Sequence, residues 1–125
     1  MSVVYDAGAL VAADRNQRAV WAEHRIRLEA GLVPLTTAPV VAQVSRTSRQ
    51  AQLRRFLRGC EVVAFTPDQA HDLGSLLAKT KTADVVDAHV VLVAVAAGAS
   101  VLTSDDVDLA KLAAKAGAPV PVRRV

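Results

Sequence analysis

Val3-Val-Tyr-Asp-Ala-Gly-Ala-Leu10 passes from a short β-favouring run into a helix-favouring run through a single aspartate, Asp6. A second stretch, Val101-Leu-Thr-Ser-Asp105, likewise ends a β-favouring run at an aspartate. Short apolar runs bounded in this way are typical of buried strands in a parallel sheet. In such sheets the working residues lie beyond the carboxyl ends of the strands. The two stretches therefore predict an α/β fold with Asp6 and Asp105 at one edge of the sheet.

The rest of the chain continues this alternation of strand and helix. The predicted strands are Ser2–Tyr5, Leu32–Thr37, Glu61–Phe65, Ser100–Thr103 and Val120–Val122. The predicted helices are Ala7–Asp14, Gln17–Ala30, Pro39–Thr47, Gln50–Arg58, Thr66–Ala78, Ala83–Ala97 and Asp106–Ala116. Strands that are separated by helices pair in parallel through right-handed crossovers. We therefore expect a single domain over residues 1–125, with three α/β/α layers around a mostly parallel sheet.

Composition excludes several classes of protein. The 125 residues are 52% hydrophobic but only 3% aromatic, which suits helices packed on a valine-rich sheet. No stretch has the roughly 20 apolar residues of a membrane span, and the N-terminus lacks the basic residues of a signal peptide. Cys60 is the single cysteine, so an internal disulfide is excluded. We expect a cytoplasmic protein with no membrane partner.

Charge is distributed unevenly along the chain. The net charge is +3, yet residues 1–60 carry nine arginines and four acids, whereas residues 61–125 carry six basic residues and eight acids. The pattern favours a basic surface for a polyanion beside an acidic site, although a solvated surface has a similar pattern.

Asp84 and Asp87 add two carboxylates, three residues apart on one face of a predicted helix. Carboxylates that converge repel one another unless a cation neutralises them, and their hard oxygens suit Mg²⁺ or Mn²⁺. Helix caps or helix-dipole partners are the alternative role for Asp84, Asp87, Asp105 and Asp108. Asp6 has no such generic structural duty.

Three segments together resemble the acidic motifs of PIN-domain nucleases, most closely the VapC-type toxins: Val3–Leu10, Asp84-Val-Val-Asp-Ala-His-Val-Val91 and Val101–Asp105. The resemblance implies an endoribonuclease whose Mg²⁺ or Mn²⁺ is held by Asp6, Asp87 and Asp105, with Asp84 as a further catalytic acid. It also implies RNA as substrate, a cognate antitoxin and a homodimer.

Two positions depart from that family pattern. Gln43 stands where the family usually has a glutamate on the helix after the second strand. An amide still offers an oxygen, but it carries no charge and cannot act as a carboxylate base. Gly8 stands where the family often has a serine or threonine two residues after the first aspartate, so one hydroxyl is missing.

Further polar residues complete the predicted site. Thr103 and Ser104 are expected to hydrogen-bond phosphate or a metal-bound water, with a turn or cap role as the alternative. A cluster of arginines is the expected RNA-backbone surface, with a merely solvated face as the alternative: Arg46, Arg49, Arg54, Arg55 and Arg58. His24, His71 and His89 show no ligand pattern.

Two other functions remain compatible with the residues. One is a non-enzymatic PIN-like binding module, weakened as a metal site by Gln43. The other is a phospho-acceptor receiver domain, which has similar length and acids at strand ends. The receiver fits less well, because a pair of acids is expected after its first strand and Asp6 stands alone.

Overall fold

The computed structural model describes residues 2–125. Its strands are β1 (Val3–Tyr5), β2 (Leu35–Thr37), β3 (Glu61–Val63), β4 (Ser100–Thr103) and β5 (Val122–Arg124). Its α-helices are α1 (Ala7–Asp14), α2 (Arg18–Glu29), α3 (Ala38–Val44), α4 (Ala51–Leu57), α5 (Ala70–Thr80), α6 (Val85–Ala97) and α7 (Asp106–Lys115), and a short 3₁₀ turn, Pro67–Gln69, precedes α5.

The five strands form one sheet in the order β3-β2-β1-β4-β5, and every pair is parallel. β1 therefore lies at the centre, where Val4 pairs with both Leu35 of β2 and Val101 of β4. The chain adds β2 and β3 on one side of β1 and then crosses to add β4 and β5 on the other. This reversal makes the carboxyl ends of β1 and β4 the topological switch point, where parallel sheets open a crevice.

Two groups of helices flank the sheet. α1 packs against α2, α3 and α4, while α5, α6 and α7 pack against one another. The crossover helix α6 contacts β1, β2 and β4 and is apolar over most of its circumference, as buried helices are. The predicted α/β fold, with helices around a central parallel sheet, is confirmed. Within residues 2–125, no helix is long and apolar enough to cross a membrane.

The order and type of the predicted elements are confirmed, but the last strand was misplaced. It runs over Val122–Arg124 rather than Val120–Val122. Prolines at 119 and 121 lack the N–H that a ladder needs, so only the carbonyl of Pro121 takes part, accepting from Val101 N at 2.8 Å. The predicted third helix also ends earlier, at Val44, and Gln50 then accepts the backbone N–H groups of Arg46 and Thr47 through its side-chain oxygen.

Candidate active site

Asp6 lies at the carboxyl end of β1, where the central strand passes into α1. Its backbone N–H donates to the carbonyl of Leu102 at 2.9 Å, which ties this end of β1 to β4. The side chain is only 4% exposed. Its Oδ2 accepts a hydrogen bond, but its Oδ1 is buried without any partner in residues 2–125. Such an unpartnered buried oxygen costs about 1–3 kcal/mol, and more if charged, so a ligand that binds it stabilises the fold.

Within residues 2–125, Thr103 supplies the one hydrogen bond that Asp6 Oδ2 receives. Its hydroxyl Oγ1 donates to Oδ2 at 2.7 Å and accepts the backbone N–H of Asp105 at 2.9 Å. Because Thr103 is fully buried at the end of β4, its rotamer is fixed by packing. One hydroxyl thus orients Asp6 and the backbone of Asp105 together, and the bond from Asp105 N is the turn or cap role that was the alternative for Thr103.

Asp84 and Asp87 lie at the start of α6. Asp84 is the N-cap, and its Oδ1 accepts the backbone N–H of Asp87 at 3.0 Å. Asp84 therefore has the capping role that was its alternative interpretation. Asp87 is half-buried, and its pKa is raised from 3.8 to about 7 by burial first, then by repulsion from Asp6, Asp84 and Asp105. The pKa of Asp87 is thus raised in part by the negative charges of the other three acids.

Asp105 lies at the N-cap of α7 and is exposed. Its pKa is raised by desolvation, followed by the charge of Asp108, with a smaller effect of Asp6.

The four acids share an electrostatic field but do not form a closed ligand set. No three His, Cys, Asp or Glu side chains within residues 2–125 are grouped closely enough to hold a metal ion as they stand. Asp6 is hydrogen-bonded to Thr103 and Asp105 is exposed, and the role of Asp6, Asp87 and Asp105 as metal ligands stays a prediction.

A cleft of about 260 Å³ adjoins these acids. The residues that line it come from the end of α5, the start of α6 and the middle of α7: Thr80, Lys81, Thr82, Asp84, Asp87, Asp108, Lys111 and Leu112. Sequence reasoning missed the two lysines, which stand in no motif and belong to two different helical segments. The one available signal was the position of Lys81, three residues before Asp84.

The space around Gly8 explains the second departure from the family pattern. A Cβ at position 8 would lie 2.5 Å from Ser104 Cβ and 2.7 Å from Ser104 N, with the Ser104 hydroxyl closer still. Ser104 therefore fills the volume that a side chain at position 8 would require. The expected hydroxyl is absent from position 8, and that of Ser104 lies in its space.

Gln43 lies in α3, which starts at the carboxyl end of β2 behind the N-cap Thr37. Its side chain is exposed and makes no hydrogen bond in the part of the chain that the structure describes. The Gln43 amide therefore has no role in the local structure.

The arginine surface lies on and before α4, and much of it is already engaged. Arg46 donates to the carbonyls of Ala42 and Ser45, and Arg54 donates to the carbonyl of Ser48. Arg55 stacks over the Trp21 ring, 4.7 Å from its centroid. Arg49 and Arg58 are exposed and carry no side-chain hydrogen bond or ion pair within residues 2–125.

The histidines lie away from the acids or are engaged in the core. His24 is buried, bonds Tyr5 Oη through Nδ1 at 2.9 Å and stacks on Phe56. His89 is buried, with Nε2 at 3.2 Å from Gln69 Oε1. Burial lowers the pKa of both rings, which keeps them neutral. His24 and His89 thus have core roles, and His71 is exposed on α5.

The comparison with protein families separates the PIN-like interpretations of this acidic edge from the receiver-domain interpretation. The model of the PIN domain matches residues 3–115. This chain belongs to the PIN domain family. PIN domains are generally nucleases, so the chain has a nuclease-type function, and the receiver-domain alternative loses its support.

A solved structure has the same fold. The crystal structure of PAE2754 from Pyrobaculum aerophilum superimposes with a TM-score of 0.63 at 17% sequence identity, over 97% of this chain and 92% of that one. At this identity the similarity concerns the fold alone. Comparison with curated proteins found no match.

PIN domains typically use divalent metal ions, and the acidic edge fits such an ion in chemistry. Asp6 offers a buried oxygen that lacks a partner, and Asp87 is a half-buried acid surrounded by like charges. Both features are relieved by a bound cation, and carboxylate oxygens are the ligands that Mg²⁺ and Mn²⁺ prefer.

Proposed function

We propose that this PIN domain is an endoribonuclease that depends on Mg²⁺ or Mn²⁺. The observation that carries the proposal is the unpartnered, buried Oδ1 of Asp6 at the switch point of the sheet, within the field of Asp87. A buried carboxylate beside other acids destabilises the fold unless something positive binds there. An anionic substrate alone would add to the repulsion among the carboxylates, so the arrangement favours binding of a cation before the substrate.

In this proposal Asp6, Asp87 and Asp105 hold the ion, and two further residues position them. Thr103 fixes the Asp6 carboxylate through the 2.7 Å hydrogen bond, and Asp84 fixes the first turn of α6, which carries Asp87. When bound, a divalent ion lowers the pKa of a water ligand and polarises the phosphate. Gln43 offers a neutral oxygen from α3. Arg49 and Arg58 remain available to more distant phosphates.

The test is a cleavage assay with single-stranded oligonucleotides labelled at one end. Purified protein is incubated with RNA, and separately with DNA of the same sequence, in Mn²⁺, in Mg²⁺ and in EDTA. We expect internal cleavage of the RNA with either ion and none in EDTA. Cleavage in EDTA would contradict the metal dependence, and cleavage of DNA alone would contradict the substrate class.

We further propose that the enzyme is the toxin of a toxin–antitoxin pair, working in the cytoplasm on cellular RNA. The support is the resemblance of its three collinear motifs to VapC-type toxins. Exposed apolar side chains around α2 suit a protein partner, either a cognate antitoxin or a second copy in a homodimer: Ile26, Leu28, Leu32 and Val33. Induced expression should arrest growth, and co-expression of the small protein encoded beside it should restore growth. Light scattering of the purified protein tests the dimer.

The second candidate is a PIN-like module that binds RNA without cutting it. Two observations favour it: the acids form no closed ligand set, and Gln43 lacks the charge of a glutamate. The same cleavage assay separates the two candidates, since a binding module retains RNA affinity but yields no product in Mn²⁺.

A further inference from the structure

The cleft beside the acids has an unusual mixture of charges. Lys81 and Lys111 line it together with Asp84, Asp87 and Asp108. Despite this proximity, neither lysine forms a salt bridge with any acid in residues 2–125. Their ammonium groups are therefore available to an anion. At about 260 Å³ the cleft is smaller than the roughly 300–1,000 Å³ of pockets for whole small molecules, so it suits a part of a larger ligand.

The backbone at Lys81 gives a second reason to look for a role of its side chain. Lys81 ends α5 in the left-handed conformation, with φ 55° and ψ 39°. Only five residues in 2–125 have positive φ, and the other four are glycine or asparagine: Asn16, Gly31, Gly98 and Gly117. A residue with a long side chain costs about 1 kcal/mol more than glycine in this conformation. Helix termination therefore does not explain why lysine stands at position 81.

Lys111 faces the cleft from α7. It is exposed and lies one turn after Asp108, which lines the same cleft. The two lysines thus come from separate helical segments, the end of α5 and the middle of α7, and they meet at the acids of α6. Ammonium groups bind phosphate as compact charges with several donors. A polyanion held there would run directly past Asp87.

We propose that Lys81 and Lys111 are positioning residues that bind the phosphodiester backbone of the RNA next to the scissile bond. This inference rests on the proposed nuclease function and assigns the nearest phosphate contacts to the cleft rather than to the arginines of α4. The lysines hold the strand against the repulsion of the neighbouring carboxylates. They take no part in bond breaking.

The test compares two cleft variants with two matched controls. Lys81→Gly removes the ammonium and also relieves the left-handed backbone, while Lys111→Ala places the best helix former in α7. Lys79→Ala and Lys115→Ala remove one charge from the same two helices outside the cleft. Binding of a fluorescent single-stranded RNA is followed by anisotropy in EDTA, which prevents metal-dependent cleavage, at several salt concentrations.

We expect each cleft variant to lose one phosphate contact. The negative slope of log affinity against log salt concentration should become shallower by about 0.7. If wild type and variant bind equally at 1 M salt, the variant should bind about eightfold more weakly than wild type at 50 mM salt. The control variants should bind within about twofold of wild type. Lys81→Gly should melt no lower than wild type, so its loss of affinity cannot be attributed to unfolding.

Cleft variants that bind RNA as well as the controls would overturn the inference, as would a wild type whose RNA binding is independent of salt. The cleavage assay on wild type keeps this outcome separate from the nuclease proposal. If wild type cuts RNA and the cleft variants match the controls, only the inference fails. If wild type cuts nothing with any divalent ion but the cleft variants lose affinity, the nuclease proposal fails and the phosphate contacts stand.

Discussion

Replacement of Asp87 by asparagine should stabilise the metal-free protein at neutral pH. The folded-state pKa of Asp87 is raised from 3.8 to about 7, so ionisation of this group opposes folding. The shift corresponds to about 4 kcal/mol at about 1.4 kcal/mol per pKa unit. Because the side chain is only half-buried and solvent screens its repulsion, we expect about 1–2 kcal/mol, after allowing about 0.5 kcal/mol for the lost helix-dipole interaction.

The sign of the pH dependence follows from the same shift. The penalty is fully present above pH 7 and disappears as the pH falls below 3.8, where the carboxyl group is protonated in both states. Urea unfolding in EDTA at pH 8 and pH 4 should therefore show an advantage of Asp87→Asn only at pH 8. Asp72→Asn, an acid in the first turn of α5, is the control. Equal stability of wild type and Asp87→Asn at pH 8 would refute the cost that we assign to burial and repulsion of the Asp87 charge.

Three further changes test individual contacts. Gly8→Ala should lower the free energy of unfolding in urea by about 1–3 kcal/mol. A second change, Ser104→Gly, should restore only part of that loss, because the backbone nitrogen of residue 104 would still lie 2.7 Å from the new Cβ. Full stability of the single variant would contradict this packing. Thr103→Val should cost about 1.5–3 kcal/mol, since Asp6 loses its one side-chain donor, whereas Thr103→Ser should retain most of the stability. Gln43→Glu should tighten Mn²⁺ binding in calorimetry and raise RNA cleavage by up to about 10²-fold; unchanged affinity and rate would place Gln43 outside the site.

The sequence predicted the fold well where its pattern reports local structure. The run Ser2–Tyr5 followed by Asp6 indicated a buried strand with an acid at its end, and the predicted helix Ala83–Ala97 ends where α6 ends. The last strand was misplaced because a strand needs backbone N–H groups that face its neighbour, here β4. Pro121 has no N–H group, so the strand begins after it. The prolines are visible in the sequence, but which residues pair with β4 depends on the tertiary structure.

The site was predictable in its residues more than in its geometry. The sequence pattern predicted that Asp6, Asp84, Asp87 and Asp105 lie at one edge of the sheet. It did not predict that Asp6 is buried or that Asp105 is exposed. Burial depends on how α1 and β4 enclose the end of β1. The lysines of the cleft were missed because Lys81 and Lys111 are 30 positions apart, and only the packing of α5 against α7 brings them together.

The most direct test of the central claim is the cleavage of an end-labelled RNA in Mn²⁺ by wild type, Asp6→Asn and Asp72→Asn under single-turnover conditions. Asp6→Asn keeps the shape of the side chain but removes the buried charge that we assign to the metal site. The account predicts metal-dependent cleavage by wild type and Asp72→Asn and a loss of at least about 10²-fold for Asp6→Asn, with all three proteins folded by circular dichroism. Equal cleavage by wild type and Asp6→Asn would contradict it.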